Sequence, residues 1–361
     1  MPAIAGPLHA ALSASIPLVC FLTAVIWLAR IAEATGLAGA IAGLLSRAAG
    51  ARTARVYALV CIACALLTVA LSLDGAVVVM VPVVLALADR GAPARPLLLG
   101  TIGVANAFSI AVVQGNPTNL VVMTGLHLGP ATFDATMVAP GLAAALICAG
   151  AVALRERRSL GGDMGGPEST PPLGRGAAVA AAALGMAGAG ESLAPVAGIA
   201  PWWPACAVAA GAALCLAASR VELPRPAVPW RIGLLVTALA TALGVAAGAA
   251  GISSLRLPAG SVWALLAVTA AAALVAAVVN NLPAAVAAGA LLHTGPAAFA
   301  VLSGVSVGAL AGTRGSVATL LVCDLAGPGY APAIREGYLR LWPATAAVAA
   351  SAATALVWAM S

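Results

Sequence analysis

Four short polar stretches interrupt a chain that is otherwise apolar: Leu73-Asp74-Gly75, Gly115-Asn116-Pro117-Thr118-Asn119, Asn280-Asn281-Leu282-Pro283 and Gly312-Thr313-Arg314-Gly315-Ser316. Their amides, hydroxyls, one carboxylate (Asp74) and one guanidinium (Arg314) can donate to and accept from a small solute. No nucleophile–base pair, zinc-protease motif, phosphate-binding glycine loop or cofactor motif accompanies them, so the chemistry on offer is binding and not catalysis. Cys61 and Cys64 form a C-x-x-C inside an apolar helix with no second ligand pair nearby. They read as small hydrophobes and not as a metal site.

The setting gives these stretches their meaning. Of 361 residues, 63% are hydrophobic and only 8% charged. Apolar runs of about 17–25 residues recur, the signature of an all-α, polytopic helical membrane protein. The net charge of +6 comes from arginines at span ends. There it orients the chain in the bilayer and does not suggest a nucleic-acid partner.

In lipid an unsatisfied backbone group costs several kcal/mol, so a Gly/Pro break at membrane depth needs a reason. Residues 115–119 could be an ordinary loop. Against that, the nearest charges are Arg95 on one side and Asp134 on the other, which favours one helix broken at mid-depth. Residues 56–72 and 76–88 form two apolar arms meeting at Asp74, with arginines at both outer ends (52 and 55, 90 and 95). Both ends therefore belong on the cytoplasmic side, and 56–88 is predicted to be a re-entrant hairpin.

A second hairpin is predicted from 261–279 through Asn280-Asn281 to 284–292, opening to the other side. A second broken helix follows over 297–323, interrupted at 312–316. The remaining spans are 11–29, 135–154, 176–190, 202–219, 232–250 and 341–359, with an interfacial piece at 36–49. Each half thus carries a hairpin, a broken helix and a closing span. This gives a first inverted repeat over 1–154, a cytoplasmic linker over 155–175 and a second inverted repeat over 176–361. Inverted-topology repeats are a device of secondary transporters, with the solute site where tips and breaks meet at the midplane. The first repeat is shorter by two helices.

Asp74 reads either as a helix N-cap or as a proton carrier or cation ligand. Arg314, costly at membrane depth, would either neutralise Asp74 or hold an anion. Glu191, Asp134 and Asp324 read as span-end or cap residues, and His127 and His293 as interfacial.

The order Leu73-Asp74-Gly75-Ala76, Gly115-Asn116-Pro117-Thr118-Asn119, Asn280-Asn281-Leu282-Pro283 and Gly315-Ser316-Val317-Ala318-Thr319-Leu320-Leu321 resembles that of arsenite efflux permeases. Those permeases belong to the ion transporter superfamily, with divalent anion/sodium symporters and sodium/proton antiporters. The resemblance implies arsenite or antimonite as the inorganic solute, proton-driven efflux, a homodimer, and in some systems a soluble ATPase subunit. It also implies a bacterial inner-membrane location and no cofactor.

Carried onto this chain, the solute-facing set is Asp74, Gly75, Asn116, Thr118, Asn119, Asn280, Asn281, Thr313 and Ser316, with Arg314 beside them. Asn106 and Ser306 occupy positions where the resemblance implies acidic, ion-coupling residues. A carrier of another anion, a sodium-coupled exchanger and a degenerate, non-transporting scaffold are the alternatives.

Overall fold

The computed structural model describes residues 2–50, 52–164, 174–194, 197–200, 202–219, 221–251, 257–288 and 295–361. Arg220, Arg256, His293, the end of the second hairpin arm at 289–292 and most of the linker (165–173) lie outside the described residues. The described chain is helical. Six of its helices are long and apolar enough to cross a membrane. It is a multi-pass membrane protein.

In order, the first half contains α1 (Pro2–Ala34), α2 (Leu37–Ala49), α3 (Thr53–Ala88), α4 (Ala94–Phe108), α5 (Pro117–Gly125), α6 (Pro130–Arg155) and α7 (Arg157–Leu160). The second contains α8 (Arg175–Leu193), α9 (Trp202–Ala218), α10 (Trp230–Ala249), α11 (Val262–Val279), α12 (Asn281–Ala288), α13 (Gly295–Ser306), α14 (Val317–Ala326), α15 (Ala331–Arg340) and α16 (Trp342–Met360). The first span is longer than the apolar run suggested, and α15 was not foreseen.

Although α3 has 36 residues, it is not one rod. A straight helix of that length would reach roughly 54 Å. Yet Arg90, just beyond its end, donates to the Gly39 carbonyl at one end of α2 (3.2 Å), while Thr53 follows the other end of α2 directly. Since α2 spans only about 20 Å, α3 must fold back, and it does so at Ser72, whose φ of 64° and ψ of 172° are non-helical. This is the hairpin predicted at 56–88, with its turning residue two positions before Asp74.

The outer ends are pinned at one level. The Thr53 hydroxyl donates to the carbonyls of Leu160 (2.7 Å) and Gly162, and Arg95 pairs with Glu156 (3.2 Å) and Glu336 (2.7 Å). On the first arm, Ile62 and Leu66 point outward. The second arm is buried without a break from Leu73 to Val81, as suits a helix that is apolar on every side. The second hairpin turns in the same way, at Asn280 with φ 107°, between α11 and α12.

Candidate functional site

The two broken helices follow the same backbone route, 200 residues apart. Both pass from an α-helix through a 3-10 turn (Ser109–Ala111; Gly308–Ala311) to an extended residue (Val112; Gly312). Both then reach a second extended residue, Asn116 or Ser316, and restart as α5 and α14. Gly115 and Gly315 are required in this route. A Cβ at Gly115 would collide with the Ser109 carbonyl, and one at Gly315 with the Ala309 carbonyl.

Side chains brace the first break from within. Asn119 Nδ2 donates to the carbonyls of Ser109 and Val112, both at 2.7 Å. Asn116 Nδ2 donates to Ser109 Oγ (3.2 Å), and its Oδ1 accepts from the Thr118 N–H (3.1 Å). Asp134 of α6 accepts from the Val113 N–H at 2.8 Å, so it serves as the cap it was read to be.

The second break is held from outside, by the second hairpin tip. Asn280 Nδ2 donates to the Arg314 carbonyl (2.9 Å), and the Asn281 N–H donates to the Gly315 carbonyl (2.7 Å). Asn280 Oδ1 also accepts from the Leu282 N–H at 3.3 Å.

The two halves meet at these features. Thr118 and Ser306, fully buried, share a hydroxyl hydrogen bond of 3.1 Å between the first break and the end of α13. α5 packs on α12 and α13, and α14 packs on α3. Beside this junction lies a cavity of ≈ 250 Å³ bordered by Ser72 of the first tip, Asn116 and Pro117 of the first break, Leu282 of the second tip, and Glu191. Pockets for drug-sized ligands run to about 300–1,000 Å³, so this one suits a small solute. A larger hollow of ≈ 600 Å³ against α10 and α11 has no polar lining residue.

The sequence-predicted residues divide into three groups. Asn116, Thr118, Asn119, Asn280, Asn281 and Ser316 are buried where breaks and tips converge, as are Asn106 and Ser306. Several of their atoms lack partners among the described residues: Asn106 Oδ1, Asn119 Oδ1 and Ser316 Oγ, with Ser303 Oγ and Ser72 Oγ nearby. Such orphans, costly when buried, are expected where a solute or water completes the set.

Asp74 is buried, its Oδ1 has no partner, and it makes no capping bond among the described residues, so the N-cap reading fails. Gly75 has a packing reason: a Cβ there would stand 2.8 Å from Leu71 Cβ.

Thr313 and Arg314 depart from expectation. Both side chains are exposed, and Arg314 forms no ion pair with Asp74 or any other described residue. The 313–314 turn projects away from the buried junction, so neither side chain joins the buried polar set.

Glu191 was missed. At the end of an apolar run it resembles a span-end acid, yet it is 4% exposed and lines the cavity. Only the packing of α8 against the first tip reveals this, and no local sequence pattern carries it.

Paired hairpins and broken helices around a buried polar junction in a multi-pass helical chain define a secondary membrane transporter. The chain belongs to the CitMHS citrate transporter family, whose model matches residues 1–311. No match to a curated protein is found. The family lies in the ion transporter superfamily that the motif order pointed to, while the arsenite branch is a finer assignment that this match does not carry.

Proposed function

We propose that the chain moves a small, carboxylate-bearing anion of the citrate kind across the membrane by alternating access, with Asp74 as the proton-coupling group. The halves 1–154 and 176–361, joined by 155–175, are read as inverted repeats that rock against each other. The observation that carries this reading is the buried Thr118–Ser306 bond, which couples the two broken helices beside a cavity that both tips border.

Asn116, Thr118, Asn119, Asn280, Asn281 and Ser316, with the uncapped start of α14 at Val317, supply polar atoms and a positive helix end. Asn106 and Ser306 stand as neutral neighbours of the solute, and Gly75 permits the close-packed tip. Thr313 and Arg314 stand outside the solute-facing set.

One observation favours a second reading. Among the described residues no arginine lines the cavity, which suits an uncharged oxyacid such as arsenite or antimonite held by amides and hydroxyls. A homodimer, a soluble ATPase partner and a bacterial inner membrane belong to that reading.

Uptake into proteoliposomes separates the two. The first reading expects labelled citrate to accumulate under an inward proton gradient. Arsenite movement without citrate movement overturns it in favour of the second, and movement of neither solute sinks both.

A further inference from the structure

We propose that Glu191 is the cavity-side partner of Asp74 in a carboxylate pair that shares one proton. The pair, and not Asp74 alone, is then loaded and unloaded as solute moves. The inference rests on the transporter reading and deepens it by naming a second acid.

Packing places α8 across the first tip: a Cβ on Gly188 would collide with the Ala70 carbonyl. Glu191 is three residues further along the same helical face. It borders the cavity, and its Oε1 has no hydrogen-bond partner among the described residues. Asp74 stands two residues beyond Ser72, which lines the same cavity, and is 3% exposed with Oδ1 likewise unpartnered. Ser72 supplies an independent sign of a site: its Oγ is buried, unpartnered and borders the same cavity.

Among the described residues no charged group besides Glu191 lines the cavity, and Arg55 on α3 and Arg175 on α8 are exposed. α1 carries His9, Arg30 and Glu33, all exposed, and α2 carries Arg47, also exposed. Arg95 on α4 is engaged by Glu156 and Glu336, and Asp324 on α14 is exposed. Arg157 and Arg158 on α7 are exposed at the far end of the hairpin. The tyrosine and cysteines of α1, α3, α9 and α14 (Tyr57; Cys20, Cys61, Cys64, Cys206, Cys215, Cys323) do not line the cavity, and α5 and α12 bear no titratable side chain.

Two carboxylates sharing a site shielded from bulk water disfavour double ionisation, so a proton taken up is held by the pair in common. A proton from cavity water passes to Glu191 Oε1 and on to Asp74 Oδ1, and the pair returns it to water on whichever side next opens. Taking up the proton lowers the negative charge beside the cavity by one. Proton loading and anion binding therefore favour each other, while the doubly ionised pair repels the anion.

The test uses purified full-length protein in proteoliposomes. Glu191→Gln is expected to abolish proton-driven citrate accumulation, to flatten the pH profile of citrate–citrate exchange, and to leave exchange itself running. Glu191→Asp is expected to restore part of the accumulation. Unchanged accumulation and pH profile in Glu191→Gln would overturn the pair, as would accumulation driven by a sodium gradient in place of a proton gradient.

A readout that needs no solute keeps this separate from the function proposed above. Infrared pH-difference spectra of the detergent-solubilised wild type should contain a protonated-carboxyl band that is altered in both Glu191→Gln and Asp74→Asn. If only one variant alters it, the two acids do not share a proton. Ser219→Ala, exposed just beyond α9 and not at the cavity, should change neither readout.

Discussion

The two breaks reach one backbone geometry by different means. The first is self-braced: Asn116, Asn119 and Ser109 spend their hydrogen bonds on its own carbonyls and hydroxyls, and Asp134 ties it to α6. The second has no such side chains. Glycines at 312 and 315 let its backbone pass close to Ala277 and Ala309, and Asn280 and Asn281 clasp it from the neighbouring tip.

The first break thus stands on bonds of its own, whereas the second is tied to the neighbouring hairpin tip. This difference also explains the exposure of Thr313 and Arg314, whose turn is gripped by its carbonyls and not by its side chains.

The largest effect should come from the glycines. Gly115→Ala pushes a methyl group into the Ser109 carbonyl within a braced, buried segment, and should cost more than about 4 kcal/mol. Gly315→Ala should cost less, because the exposed 313–314 turn can yield. Thermal melting of the solubilised protein checks the ranking, and the reverse order would break the comparison.

Next come the asparagines. Asn119→Ala strips the donor from two carbonyls and should cost about 2–3 kcal/mol. Asn280→Ala strips one carbonyl beside an exposed turn and should cost about 1–2 kcal/mol. Hydrogen exchange should loosen residues 109–119 alone in the first variant, but α12 and 312–316 together in the second. Exchange confined to 312–316 in Asn280→Ala would remove the idea that tip and break move as a unit.

The smallest effect is expected at Arg314→Ala: within about 0.5 kcal/mol in stability, with no change in substrate charge preference. A changed preference would return the guanidinium to the site.

Much of this architecture was legible before any coordinates. Apolar runs separated by arginines located the spans, and an Asp or Asn-Asn between two short arms located the tips. Gly-Asn-Pro and Gly-Thr-Arg-Gly located the breaks, because lipid tolerates polar backbone only where protein or a cavity covers it. What stayed hidden depended on packing between distant segments. Glu191 gains its burial only when α8 meets the first tip, and the exposure of Arg314 follows from which way a turn projects. Asn119 and Asn280 looked like solute ligands, yet each spends its amide donor on a carbonyl of a break. A side-chain type announces that it will hydrogen-bond, but not to which partner.

The central claim is that a tip from each half borders one cavity. Ser72→Cys and Leu282→Cys, introduced together after removal of the seven native cysteines, test it most directly. A protease site placed within 165–173 separates the halves on a denaturing gel. Treatment with a short bifunctional thiol reagent before cleavage should leave the halves joined. Halves that part after each cysteine has reacted singly would show that the tips do not meet, and the shared cavity would be refuted.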